Sequence, residues 1–314
     1  MENKVLATSS PHIRSKENTT NVMLDVIIAL LPAVIASIYY FGFDSIKLTS
    51  IAVISAVATE AIIQKLLKKE VTIKDLSAVV TGILLAFNLP PSAPWWIPLI
   101  GSVFAIAVAK QVFGGLGHNF INPALAARAM LLASWPTRML GWENPAGVDA
   151  VSAATPLQII KGAEGNLQPL TDLIFGRIPG SLGETSAILL IIGGLYLLYR
   201  GVISWKIPVS YIGTVAVIAY IYEGSLLLVG YHVFGGGLLL GAIFMATDYA
   251  SSPVTSKGKI VFGIGAGIFT MLIRIFGAIP EGVSYSILLM NIATPIIERY
   301  TAPKVFGGAK NDKK

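Results

Sequence analysis

The chain has 314 residues, of which 54% are hydrophobic and only 13% charged, with a mean hydropathy of +0.72. Soluble domains carry about 25% charged residues, so the composition excludes an ordinary soluble enzyme and points to a lipid-embedded chain. There is no cysteine, which removes disulfides, thiol nucleophiles and cysteine-held iron–sulfur clusters. His12, His118 and His232 are too scattered to form a metal motif, so any redox chemistry must rest on an organic cofactor. The net charge of +6 comes from basic residues clustered beside apolar stretches. That is the pattern of positive-inside membrane topology, and no nucleic-acid partner is expected.

The first 21 residues are polar, without the short apolar region and small-residue site of a cleaved signal peptide. Apolar stretches read as spans follow at 22–41, 48–67, 76–89, 95–112 and 123–135. After a polar segment at 136–184 come 186–199, 207–222, 225–246, 260–275 and 283–297. The expected fold is all-α: a polytopic membrane protein of about ten transmembrane helices. Tyr39–Tyr40 and Trp95–Trp96 suit interfacial anchoring. With both termini inside, 17 of the 23 Lys and Arg fall on inner segments and five on outer ones. This predicts that both termini face the cytoplasm. Segment 136–184 is then an extracytoplasmic loop, whose Trp142, Leu157, Ile159, Ile160, Leu173 and Ile174 are enough to pack as a cap.

A faint repeat divides the chain. Residues 82–94 (Gly-Ile-Leu-Leu-Ala-Phe-Asn-Leu-Pro-Pro-Ser-Ala-Pro) resemble 241–253 (Gly-Ala-Ile-Phe-Met-Ala-Thr-Asp-Tyr-Ala-Ser-Ser-Pro), and each precedes an apolar stretch ending in Phe-Gly. Five spans per half is odd, so the halves should be inverted repeats, as in many transporters. The expected organisation is a cytoplasmic segment 1–21, a five-helix repeat 22–135, the outer loop 136–184, a second five-helix repeat 185–299 and a tail 300–314. Gly235-Gly-Gly237 and Gly263-Ile-Gly-Ala-Gly267 lack the strand–turn–helix context of a nucleotide loop. They read as small residues for close helix packing.

Within the outer loop, Thr155-Pro156-Leu157-Gln158 has the makings of a helix start. Thr155 is a good N-cap, Pro156 suits the first turn, and Gln158 completes a capping box. Glu60, Lys110, Arg128 and Asp248 fall within or near spans. Each costs about 2.5–3.5 kcal/mol at mid-membrane on insertion scales, so such residues usually face the bundle interior.

The stretch Asp-Ala-Val-Ser-Ala-Ala-Thr over 149–155 resembles the acceptor site for covalent FMN in a family of bacterial redox membrane proteins. These are the D subunit of the Rnf electron-transport complex and the B subunit of the sodium-pumping NADH:quinone reductase. The resemblance extends to Ser-Pro-His-Ile-Arg-Ser at 10–15, Gly-His-Asn-Phe-Ile-Asn-Pro-Ala-Leu-Ala-Ala-Arg at 117–128, Asp-Tyr-Ala-Ser-Ser-Pro-Val-Thr at 248–255 and Glu-Gly-Val-Ser-Tyr-Ser-Ile-Leu-Leu-Met-Asn at 281–291. The short N-terminal region favours the Rnf protein. The resemblance implies FMN phosphate joined to the Thr155 hydroxyl by a flavin transferase, with riboflavin also held non-covalently at an unassigned place. It implies other Rnf subunits as partners and electron transfer from ferredoxin to NAD coupled to sodium or proton export. Ser152, Ala153 and Ala154 are small enough to leave the hydroxyl accessible. Asn122 and Arg128 share one short segment, and the Arg128 cation would either neutralise a flavin anion or pair with Glu60 or a carbonyl. The competing reading is a secondary transporter or channel with inverted repeats and no redox cofactor.

Overall fold

The computed structural model describes residues 18–142, 154–184, 186–278 and 281–303, and everything regular among them is helical. α1 (Thr19–Phe41) and α2 (Phe43–Leu66) form a hairpin. Only Gly42 separates them, at φ 60°, a conformation that glycine adopts without strain. α3 (Ser77–Phe87) ends at Asn88. α4 (Trp96–Ile106) continues into a π turn at Ala107–Gln111, and α5 (Pro123–Ser134) is followed by the short α6 (Pro136–Met139). The segment after it carries α7 (Pro156–Ile160) and α8 (Leu170–Phe175). The second half comprises α9 (Ala187–Tyr199), α10 (Lys206–Glu223), α11 (Leu226–Phe234), α12 (Leu238–Leu240) with a π turn at Gly241–Met245, α13 (Ser256–Phe276) and α14 (Val283–Thr301).

By length and composition α1, α2 and α13 can each cross a membrane alone. The stretch expected as one span at 225–246 is instead two pieces, Leu226–Phe234 and Leu238–Met245, bent by 59°. α3 rises only about 17 Å, half the hydrocarbon thickness. The composition explains where these short pieces sit. Nine of the eleven residues of α3 are buried, as are all eight from Leu238 to Met245. A helix that is apolar on every side is stable only when surrounded by others. The longer α1, α2 and α10 instead present Ile35, Ile54, Ile62, Val217 and Ile221 outward, as lipid-facing helices do.

The packing has a two-fold character. α2 packs on α3 and α4 just as α10 packs on α11 and α13. α4 meets α5, and α13 meets α14. Across the halves α1 pairs with α9 and α5 with α14, each a helix with its own counterpart. The breaks that follow α3 and Met245 leave toward opposite ends of α5. Ser92 donates to Gly141 O (2.6 Å) beyond its C-terminus, whereas Asp248 accepts from Asn119 (3.1 Å) before its N-terminus. The two breaks thus lie at opposite ends of α5.

Small residues bring the backbones together. A Cβ on Gly263 would lie 2.0 Å from Ser210 Oγ, and one on Gly193 would lie 2.2 Å from the Ala29 carbonyl oxygen. The Gly263 series thus packs helices as expected. The Gly235–Gly237 series does not, because it forms the break between α11 and α12, with Gly236 and Gly237 at φ 66° and 67°.

Residues 154–184 cap one face. Leu173, Ile178 and Tyr231 form their own buried cluster. Tyr40 donates to Phe175 O at 2.7 Å and Lys161 to Arg274 O at 2.9 Å. The start of α1 and the end of α14 belong to the opposite face, where Thr20 meets Lys74 and Glu298 accepts from Val254 N. The end of the cap segment turns inward: Leu182 N donates to Leu89 O (3.0 Å), and Gly183 touches Phe87 and Leu240.

Candidate functional site

Thr155 caps α7 as its sequence context predicts. Its Oγ1 accepts from Gln158 N at 3.3 Å, while the Gln158 side chain accepts from Thr155 N at 2.8 Å. Pro156 occupies the first turn. Thr155 is 6% exposed. Leu157 anchors the helix against the α11–α12 break, where a Cβ on Gly236 would stand 2.3 Å from Leu157 Cδ1. A cavity of about 70 Å³ lies beside α7, lined by Leu157, Lys161, Glu223, His232 and Arg274 among others. Ser152, the other acceptor-site residue named from sequence, lies outside the described residues.

Asn122 and Arg128 serve the centre of the bundle. The Asn122 side chain accepts from Ala124 N (3.0 Å) and Leu125 N (3.2 Å), capping α5, and donates to Met245 O at 3.1 Å. Arg128 donates to Asn88 Oδ1 at 2.6 Å and to Glu281 Oε2. Glu60, one of the partners considered for it, is not the one chosen. Neither residue lies on α7 or touches Thr155. What they hold together is the two interrupted segments, Asn88 in one half and Met245 in the other.

Glu60 instead takes Lys110, at 2.7 Å, with both side chains essentially buried. Lys110 also donates to Ser77 Oγ (2.7 Å), and Gln111 donates to Glu60 Oε1 (2.8 Å). The π turn supplies this geometry: one extra residue per turn brings Lys110 and Gln111 together onto the inward side, a device common at functional sites. Asp248 accepts from Ser251 Oγ (2.8 Å) and Asn119 Nδ2 (3.1 Å). Ser77, Lys110, Asn119, Asn122 and Asp248 supply polar lining to a cavity of about 100 Å³ whose remaining walls are mostly apolar. Buried charges of this kind need a partner or several hydrogen bonds to be tolerated, and each has them.

The family model described as NQR2, RnfD, RnfE matches residues 6–307. The chain belongs to that family. Among its relatives, the D subunit of the Na+-translocating ferredoxin:NAD+ oxidoreductase complex of Acetobacterium woodii is 56% identical over 99% of this chain and 98% of its own length. The D subunit of the proton-translocating ferredoxin:NAD+ oxidoreductase complex of Clostridium ljungdahlii is 45% identical over 96% and 95%. The D subunit of the ion-translocating oxidoreductase complex of Klebsiella pneumoniae is 36% identical over 95% and 98%.

For a membrane protein of this family, two further residues emerge from the fold. Glu281 is the partner of Arg128, and Arg274 donates to His232 O (2.6 Å) and Gly235 O (3.2 Å), closing the open end of α11. In the sequence both look like flanking charges. The available signal was their place: each sits at an end of an apolar stretch, Glu281 beside Gly282 and Arg274 three residues before Gly277.

Proposed function

We propose that this chain is the D subunit of an ion-translocating ferredoxin:NAD+ oxidoreductase complex and that it carries FMN bound covalently through phosphate to Thr155. The first part rests on the near full-length similarity to complex members of that name. The second is supported by the acceptor-like stretch 149–155 and by the way Thr155 is used. Among the described residues its oxygen only accepts in the cap, so the helix start does not call on its hydroxyl hydrogen. Exchanging that hydrogen for a phosphoryl group leaves the Gln158 side-chain bond to Thr155 N unaffected.

Bound there, FMN supplies one- and two-electron exchange with a cofactor in a neighbouring subunit. The chain's own contribution is to fix the root of the tether. Leu157 seats α7 on the glycine break, and Lys161 ties the end of α7 to the last carbonyls of α13, at Arg274 and Gly277. Thr155 is nearly buried in the docked cap, so the flavin transferase acts before α7 docks. The proposal includes a second, non-covalent riboflavin, other members of the complex as partners, and an inner-membrane location with the cap outside and both termini in the cytoplasm.

The test is fluorescence. Chain expressed with its flavin transferase is denatured, separated on a gel and viewed under ultraviolet light. The wild-type band glows and Thr155→Val stays dark while still inserting. A glowing Thr155→Val band places the flavin elsewhere. A transporter without a cofactor would share the interrupted helices and buried charges, and it would be colourless in every variant.

A further inference from the structure

Where the cap segment turns back into the core, one oxygen of a carboxylate is left out of the hydrogen bonding around it. Glu184 closes the turn Leu182–Glu184 and is 7% exposed. Its Oε2 accepts from Ser181 N at 3.3 Å, but its Oε1 is fully buried and has no donor among the described residues. The group is wedged between its own turn and the glycine break. A Cβ on Gly180 would stand 2.3 Å from Oε2, and one on Gly237 would stand 3.5 Å from Oε1. Gly183 next to it touches both Phe87, the last residue of α3, and Leu240 of α12. Glu184 therefore sits at the junction of the two interrupted segments.

The charges facing it are Arg128 from α5 and Arg274 from α13. Both guanidinium groups are already committed. Arg128 donates to Asn88 and Glu281; Arg274 donates to the carbonyls of His232, Gly235 and Glu281. They act on Glu184 through space without donating to its free oxygen. The remaining carboxylate of the cluster, Glu281, is satisfied by Arg128.

We propose that Glu184 is an exchange site for one monovalent cation, a proton or a sodium ion, bound at its free oxygen. A buried carboxylate oxygen without a donor is costly and is relieved by neutralisation. The balance is simple: the carboxylate takes up H+ to become the neutral acid, or Na+ to form an ion pair, and no bond breaks. Two features keep the cation exchangeable. The two guanidinium groups favour the anion, and so does the positive end of the half-helix Leu238–Met245, which begins beside Glu184. Carboxylates and unwound backbone at interrupted membrane helices are where coupling ions bind in transport folds. The proposal leans on the ion-translocating reading only for the physiological role of that cation.

The experiment uses the purified, flavinylated chain and dicyclohexylcarbodiimide, which reacts with protonated carboxyl groups in apolar surroundings. Peptide mass spectrometry reads the site of labelling. Glu184 is expected to be labelled at mildly acidic pH, several-fold more than Glu60 or Glu281, each of which is held in an ion pair, with Lys110 and with Arg128. Protection by sodium at constant pH identifies sodium as the occupant, and protection only by raising the pH identifies the proton. Glu184→Gln removes the label; if that variant fails to fold, the sodium and pH series on the wild type decides alone. Labelling of Glu184 no greater than that of Glu281 at any pH overturns the proposal. Gel fluorescence of the same samples reports on Thr155 separately, so failure of one reading is not mistaken for failure of the other.

Discussion

Asn122, the cap of α5, donates its backbone N–H to the side chain of Asn291 at 3.1 Å, midway along α14. The converse contact is made by Glu281, just ahead of α14, which accepts from Arg128 midway along α5. Each helix start is thus held by the middle of the other helix, and the two run antiparallel. This reciprocity places two polar contacts between α5 and α14 at the centre of the bundle.

Removing one member of the central pair should therefore be severe. Arg128→Met leaves Glu281 buried without its cation, at an expected cost of about 3–5 kcal/mol. The double variant Arg128→Met, Glu281→Leu should recover most of that loss. Unfolding by denaturing detergent in mixed micelles measures both. A double variant no more stable than the single one would show that the pair has a further structural role.

Two glycines should respond in opposite ways to the same substitution. Gly193→Ala drives a methyl into the Ala29 carbonyl oxygen, so α1 and α9 must separate, at about 1–3 kcal/mol. Gly213, within α10, has nothing within 4 Å of a new Cβ. Gly213→Ala should be neutral or raise stability by up to about 1 kcal/mol through helix propensity. Thermal unfolding in detergent distinguishes the two.

Orientation is tested by labelling. Gly165 is exposed in the cap, and Lys69 is exposed on the opposite face, beyond α2. Gly165→Cys should react with an impermeant thiol reagent added to intact cells, and Lys69→Cys only after permeabilisation. The reverse result would put the Thr155 face in the cytoplasm.

The cap itself gives a prediction independent of any flavin. Thr155→Val should cost about 1 kcal/mol by removing the oxygen that accepts from Gln158 N, whereas Thr155→Ser should cost little. In chain expressed without the transferase, limited proteolysis within the cap should run several-fold faster for the valine variant alone.

The sequence by itself determined the features written in local chemistry. Apolar length and charge scarcity made the chain a helical membrane protein. Thr155-Pro156 followed by Gln158 marked the capping box, because cap bonds join residues two or three apart. The repeat at 82–94 and 241–253 was legible for a similar reason: an interrupted helix needs small, turn-forming residues wherever it occurs. Only the tertiary structure decided what lay between distant segments. The apolar stretch 225–246 has enough length for one span, yet it breaks at Gly235–Gly237, where Arg274 from α13 satisfies the freed carbonyls. Arg128 chose Glu281, 153 positions away, over Glu60, which Lys110 had occupied. Glu184 belongs by sequence to a polar outer segment but lies in the core, because the bond from Leu182 to Leu89 draws that segment inward. Hydrophobic pattern fixes which residues leave water; the partner of a buried charge depends on which helices the fold brings within a few ångströms of it.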